Sequence, residues 1–252
     1  MKETFDTLLG RVTLYKNETY ITKEFQQKKY WDLEVLLKLQ SYINPFKNIL
    51  EIGGHCGTST LFYAKLLDKK NKVFVYEPQK RLFMLLLQNI KQNNLDNKVQ
   101  AHNKAFFCEK GLLSMNKIDI DGGGGDVSKR YNEESHLPCN FGGVGLGSGG
   151  EKVLTTTLDK CKIKKVGFVH CDAQGAESFI FSKGKKFLKK HRPVILYENN
   201  KKYNPVLFES ILKNYPDYFI EACFDVEKYC LNVLGYSQVI HNFNTGDDLL
   251  IP

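Results

Sequence analysis

Two hydrophobic periodicities alternate along the chain. Residues 34–43 carry Val35, Leu36, Leu39 and Ile43 on one helical face, and Pro45 ends the pattern. Residues 48–52 form a short apolar run that stops at glycines, and 59–67 return to helical spacing. The same pair of signals repeats as a strand over 72–76, closed by Glu77-Pro78, a helix over 81–93 and a strand over 99–107. A fourth strand is expected over 166–171, apolar except for His170, then a helix over 176–188 and a fifth strand over 193–197. Further helices are expected over 208–214 and 225–234. Two closing strands, 237–242 and 248–251, flank the turn signal Asn244-Thr245-Gly246. Strands alternating with helices predict an α/β fold, a doubly wound and mostly parallel sheet with an antiparallel C-terminal hairpin. The reading is one domain over 1–252, with 1–45 as a helical cap region.

Residues 121–150 break the pattern. They hold Gly122 to Gly125 and a run from Phe141 to Gly150 that is more than half glycine. Such a stretch is neither helix nor central strand. The strand-like stretches 111–118 and 151–158 bracket it, so it reads as a flap between two paired strands. Arg130, Tyr131, His136 and Phe141 are its candidates for clasping a phosphate, stacking on a sugar ring or excluding water.

Charge alters the picture little. The net charge of +8 is nearly all lysine, with arginine only at 11, 81, 130 and 192. A basic balance suits anionic partners, but readers of nucleic-acid sequence spend arginine on base edges, so a nucleic-acid partner is not expected. The seven cysteines contain no Cys-x-x-Cys pair and are odd in number. That argues against a zinc site or a disulfide framework and for a reducing compartment. No apolar run reaches the roughly 18–20 residues of a membrane span and no signal-peptide core opens the chain, so a cytoplasmic protein is expected. Oligomeric state is not legible.

The chemistry concentrates at strand ends. Glu51-Ile52-Gly53-Gly54-His55-Cys56-Gly57-Thr58-Ser59 places an acid at the end of the first parallel strand, then a glycine turn into a helix. The glycines allow close approach of a ligand, and the helix start offers N–H groups to an anion. His55 stands where the dinucleotide fingerprint needs glycine. Glu77 ends the second strand, about twenty residues on, where a carboxylate can accept the hydroxyls of a ribose. Together the two signals predict a nucleoside-binding domain.

The turn E-x-G-x-x-x-G, then Val75-Tyr76-Glu77-Pro78, then Asn103-Lys104-Ala105 resemble successive S-adenosylmethionine (SAM) motifs of class I methyltransferases. Thr157-Leu158-Asp159, the run Cys171 to Glu177, Gly184, and Pro193 to Glu198 are similar to the FkbM-type methyltransferase family, as is the ending Gly235-Tyr236 … Asp248 to Pro252. The resemblance implies a Rossmann-like sheet, SAM as cofactor and transfer of methyl to a hydroxyl of a sugar, nucleotide-sugar or related small molecule. It further implies that Gly53 and Gly57 support the methionine part of SAM, Glu51 organises its amino group, Glu77 holds the ribose, Asn103 and Ala105 flank the adenine, and Asp172 faces cofactor and acceptor. Gly54, His55, Thr58, Ser59 and Pro78 fall within the same motifs. Three features depart from the family: Glu51 for the commoner Asp, Gln174-Gly175-Ala176-Glu177 for an acidic-Gly-x-Glu centre, and the glycine insert.

A neutral sugar hydroxyl is a poor nucleophile, so a base or a metal is expected. Asp172, Glu177 and His170 are the candidate catalytic groups. Asp172, Glu198 and Asn199 resemble the metal set of catechol-type O-methyltransferases and would suit Mg²⁺, Ca²⁺ or Mn²⁺. Competing readings are an RNA 2′-O-methyltransferase, an NAD-linked oxidoreductase and a non-catalytic binding module.

Overall fold

The computed structural model describes residues 1–117 and 138–252. In chain order its elements are β1 (Lys2–Thr7), β2 (Gly10–Tyr15), α1 (Ile21–Gln26), α2 (Leu33–Leu39), β3 (Asn48–Ile52), α3 (Thr58–Leu66), β4 (Val73–Tyr76), α4 (Lys80–Gln92), β5 (Val99–His102), β6 (Ala105–Phe106), β7 (Leu112–Asn116), β8 (Leu146–Gly147) and β9 (Gly149–Thr156). There follow β10 (Val166–Cys171), α5 (Glu177–Ser182), α6 (Lys185–His191), β11 (Val194–Glu198), α7 (Asn200–Tyr203), α8 (Pro205–Asn214), α9 (Phe219–Ala222), α10 (Val226–Asn232), β12 (Gln238–Asn244) and β13 (Asp247–Ile251).

The central sheet runs β12-β13-β11-β10-β3-β4-β5. The five strands from β11 to β5 pair in parallel, and β13 returns antiparallel against β11 and β12. This is the expected doubly wound α/β architecture. Strands β3 and β10 are mostly apolar, except for Glu51 and His170, because helices cover both faces. Ile49, Leu50, Phe168 and Val169 are fully or almost fully buried. Helix α4 shows why the pattern is helical: Leu82, Leu85, Leu86, Asn89 and Ile90 fall on one buried face. The chain leaves β3 toward β4 and β5 on one side, and β10 pairs on the other. The order of strands therefore reverses between β3 and β10, and that crevice is where α/β sheets bind ligands.

Three expected elements differ. The strand expected over 99–107 divides: after β5 the chain leaves the sheet at Asn103-Lys104, and β6 pairs instead with β9 in a second sheet of order β6-β9-β7-β8. The helix expected over 176–188 breaks at Gly184, where a Cβ would press on Leu158. The N-terminal region is not wholly helical, since it begins with the β1–β2 hairpin. That hairpin turns at Gly10, where φ is +108°, and its exposure alternates along Lys2–Thr7. Strands β7 and β9 pair antiparallel, as the bracketing of the glycine segment predicts. Arg130, Tyr131 and His136 lie outside the described residues; Phe141 is fully buried beside Cys139 and Leu82. Among the described residues, no helix is long and apolar enough to cross a membrane.

Asn89 ties the hairpin to the rest. Its Oδ1 accepts from Thr13 N–H at 2.7 Å, and its Nδ2 donates to the carbonyls of Thr13 (3.1 Å) and Cys56 (2.8 Å). The amide thus serves the backbone of Thr13 as a neighbouring strand would, and reaches the glycine turn with its second hydrogen. Asn89→Ala would leave these buried groups without partners and is expected to cost on the order of 3 kcal/mol. Denaturant unfolding checks this: the midpoint falls with an unchanged m-value.

Candidate functional site

A cavity of about 510 Å³ opens at the C-terminal ends of β3, β4 and β10. Gly53, Gly54 and His55, from the turn that leads into α3, line it. Gly53 has φ +88°, and a Cβ there would collide with the Asp172 carbonyl. Only glycine lets the end of β3 lie this close to the end of β10. Gly57 (φ +91°) precedes the first turn of α3, where a Cβ would meet Leu86 at 2.6 Å. The N–H groups of Gly53 and Gly54 donate to the Tyr76 carbonyl at 2.9 and 3.1 Å, which fixes the turn to β4.

Glu77, in the cavity wall, has both carboxyl oxygens engaged by backbone donors. His55 N–H donates to its Oε2 and Gln79 N–H to its Oε1, both at 2.8 Å. The side chain is 3% exposed. Burial pushes its pKa up to about 8, against the two backbone donors that favour the ionised form. Beside it, His55 adopts φ +46°. Both its ring nitrogens are buried without a hydrogen-bond partner, and burial holds the imidazole down at about 4. A buried polar group left unpaired costs about 1–3 kcal/mol. A ligand with polar atoms at this end of the cavity would relieve that cost, so the turn fits a nucleoside cofactor.

The cavity wall also takes in Gly54, Thr58, Ser59, Pro78 and Ala105. Three expected contacts stand elsewhere. Gly57 lies behind the wall, at the base of α3. Asn103 donates its amide to the carbonyls of Glu77 (2.9 Å) and Pro78 (2.8 Å) and so shapes the end of β4 without lining the cavity. Glu51 is fully buried one layer back, accepting from the Ser59 hydroxyl and from Thr60 Oγ1 at 2.5 Å. Burial pushes it up to about 7. It reaches the cavity through Ser59.

At the other end, Asp172 and His170 line the cavity. His170 Nδ1 sits 3.2 Å from the Tyr63 hydroxyl and 3.9 Å from Glu51, and burial lowers its pKa, so the ring is neutral. Glu177 does not face the cavity. Its Oε1 accepts from the N–H groups of Ala173 (2.9 Å) and Gly175 (3.3 Å), and it holds the turn that follows Asp172. Burial pushes it up to about 8.

The expected metal set does not assemble. Asn199 turns away from the cavity, donating to Asp248 Oδ2 (2.8 Å) and the Tyr197 hydroxyl (3.1 Å). Asp172 and Glu198 do approach one another, but the Gln174 amide lies on both, 2.7 Å from Asp172 Oδ1 and 2.9 Å from Glu198 Oε2. Burial, followed by the charges of Asp172 and Glu177, pushes Glu198 up to about 11. Among the described residues, the one cluster with metal-ligand spacing is Glu227, His241 and Asp248 at the surface. Lys202 Nζ lies 3.2 Å from His241 Nδ1 and 3.9 Å from Asp248, a cation already in place.

Several wall residues carry no local sequence signal. Glu18, Tyr20, Trp31 and Asp32 come from the N-terminal region; Asn140 and residues 142–146 come from the glycine segment; Asn244, Thr245 and Asp247 come from the C-terminal hairpin. The wall carries the acids Glu18, Asp32, Glu77, Asp172, Glu198 and Asp247 against a single lysine, Lys104, among the described residues. The wall is rich in carboxyl groups although the whole chain is basic, and burial favours the protonated form of Glu77 and Glu198.

The methyltransferase FkbM domain profile matches residues 51–218. No curated protein matches the chain. Among solved structures the chain is similar to a methyltransferase FkbM from Methylobacillus flagellatus KT, at 12% identity and TM-score 0.48, covering 82% of this chain and 44% of that one. It is similar to an O-methyltransferase from Bacillus cereus in complex with SAH, at 15% identity and TM-score 0.45, covering 94% of this chain and 83% of that one. It is also similar to the Pyrococcus abyssi tRNA (uracil-54, C5)-methyltransferase in complex with S-adenosyl-L-homocysteine, at 12% identity and TM-score 0.45, covering 99% of this chain and 43% of that one. The chain thus spans less than half the length of the first and third of these.

The buried carboxyls set a pH dependence. Glu51, Glu77 and Glu177 rise from 4.5 to about 7, 8 and 8. The folded state therefore binds more protons than the unfolded state across that window, and stability falls as pH rises through it. Their contribution is fully present below 4.5 and lost above about 8. The melting temperature of the ligand-free protein is expected to drop across this range, with a shallower drop in Glu77→Gln. A melting temperature that rises across the window in both proteins would contradict the assignment.

Proposed function

The chain belongs to the methyltransferase FkbM domain family, and on that premise we propose that its cavity binds SAM and directs the methyl group to a hydroxyl of a sugar or related small polyol. The observation that carries this reading is Glu77. It stands at the tip of β4 with both oxygens oriented by backbone N–H groups and faces the cavity. A carboxylate so held is pre-organised to accept two hydroxyls of one ribose. His55 offers its unpaired ring nitrogens at the same end, Thr58 and Ser59 offer the start of α3, and Ala105 and Pro78 provide apolar contact for a base.

Bound SAM supplies a methyl group already activated by the sulfonium. What remains for the protein is alignment, exclusion of water and removal of one proton. Trp31, Leu36 and Leu196 give the acceptor end an apolar wall. Asp172 orients the acceptor hydroxyl and takes up its proton. Neutral His170, on the same strand face two residues earlier, is the second acceptor of that proton. Holding a hydroxyl in line for attack is worth several kcal/mol of barrier. No step passes through a divalent cation, because Asn199 is committed to Asp248 and the Gln174 amide lies between the two carboxyls.

The acid-rich wall narrows the acceptor. A diphosphate would meet six carboxyl side chains and one lysine there, so a neutral polyol fits better than the phosphorylated part of a nucleotide-sugar.

Calorimetry tests the cofactor half. Glu77→Ala is expected to weaken SAM binding by one to two orders of magnitude, roughly 1–3 kcal/mol of charge-assisted hydrogen bonding, with the fold intact. Unchanged affinity in the folded variant would remove Glu77 from the site. Mass spectrometry of panels of neutral glycans, nucleotide-sugars and RNA tests the acceptor half. Methylation is expected among the neutral glycans and should fall at least about tenfold in Asp172→Asn with SAM affinity largely retained. Methylation confined to nucleotide-sugars or RNA would overturn the acceptor assignment.

A further inference from the structure

The two carboxyls at the acceptor end are bridged by a side-chain amide, and the chemistry of the bridge is the reverse of a metal site. We propose that Gln174 occupies the position a divalent cation would take between Asp172 and Glu198, so that this amide sets the spacing and orientation of the two carboxyls. A hard cation is held by oxygen atoms that point inward. Here the atom between the carboxyls is a nitrogen donating both hydrogens outward, to Asp172 Oδ1 at 2.7 Å and Glu198 Oε2 at 2.9 Å. Asn200 Nδ2 adds a second donor to the same Glu198 oxygen at 2.7 Å. Two amide donors converge where a cation would compete.

The backbone is shaped to deliver the amide. Gln174 adopts φ +49°, a conformation that side-chain-bearing residues rarely take, and Gly175 follows at +98°. A Cβ on Gly175 would lie 2.9 Å from the carbonyl of Leu207, so the turn packs directly on the start of α8. Glu177 pins the turn from the other side through the N–H groups of Ala173 and Gly175. The turn holds Gln174 against the two carboxyls from both flanks. A neutral amide also brings no positive charge to Asp172, as a cation would. Asp172 therefore faces the cavity as a positioned acceptor and not as a metal ligand. Gln174 is accordingly a positioning residue that acts through Asp172.

The functional consequence rests on the proposed role of Asp172; the cation measurement does not. Mn²⁺ alone is the probe, titrated into the full chain and read by calorimetry and paramagnetic resonance. The wild-type protein should show no Mn²⁺ site that Asp172→Asn removes. Gln174→Glu, which puts an oxygen pair where the amide stood, should gain one site at least about tenfold tighter than any wild-type binding, lost again when Asp172→Asn is added. A wild-type Mn²⁺ site that depends on Asp172 would overturn the proposal, as would a folded Gln174→Glu protein with no gain. If circular dichroism shows that Gln174→Glu does not fold, Gln174→Ser removes the amide without adding charge. A gained Mn²⁺ site then supports the proposal and none overturns it. SAM calorimetry on the same samples separates the two readings: loss of SAM binding in wild type would remove the methyltransferase site and leave the Mn²⁺ comparison standing.

Discussion

Everything at the cavity depends on the parallel pairing of β3 with β10. These strands are more than a hundred residues apart in sequence, yet Ile52 accepts from the N–H of Asp172 at 2.9 Å, and Gly53 lies directly on the Asp172 carbonyl. That contact brings the glycine turn, which suits a nucleoside, against the acid that faces the acceptor. It also places His170 beside Glu51 in register. A side chain larger than hydrogen at position 53 would separate the two strand ends and, with them, the two halves of the proposed reaction.

Much of the frame was legible in the sequence because it is written in local periodicity. The apolar runs ending at Ile52, Tyr76 and Cys171 are buried on both faces, and such strands announce themselves. Glu77 was legible for the same reason: it is the first polar residue after a buried run. The partners of the side chains were not legible. Asn103 and Asn199 each sit in the right motif, but an amide can turn toward either of two neighbours. Asn103 serves the carbonyls of β4, and Asn199 serves Asp248 on a strand nearly fifty residues later. Glu177 matches the position of a catalytic acid, yet the turn ahead of it has N–H groups that need an acceptor. Trp31, Asp32 and Asp247 reach the wall only because two distant segments fold over it. The first hairpin was missed because its alternation is half exposed and its apolar members are few.

The surface of the chain is rich in lysine, whereas the wall of the cavity is rich in carboxyl groups. The lysines are spread along the chain, and the carboxyls are gathered from five separate parts of it. Net charge therefore describes how the molecule meets solvent, not what it admits to its interior. Clefts walled by low-dielectric protein focus the field of the groups that line them, so the inner set governs a small ligand once it has entered.

The glycine turn also contains a thiol. Cys56 is fully buried, its carbonyl is held by Asn89, and burial pushes its pKa up to about 12. Electrophiles attack the thiolate, so in the closed molecule this sulfur is both hidden and in its unreactive form. Its alkylation can proceed only in those moments when the start of α3 lifts from the sheet. The rate of that reaction is therefore a clock for local opening of the turn, built into the chain without any added label, and a ligand that braces the turn would slow it.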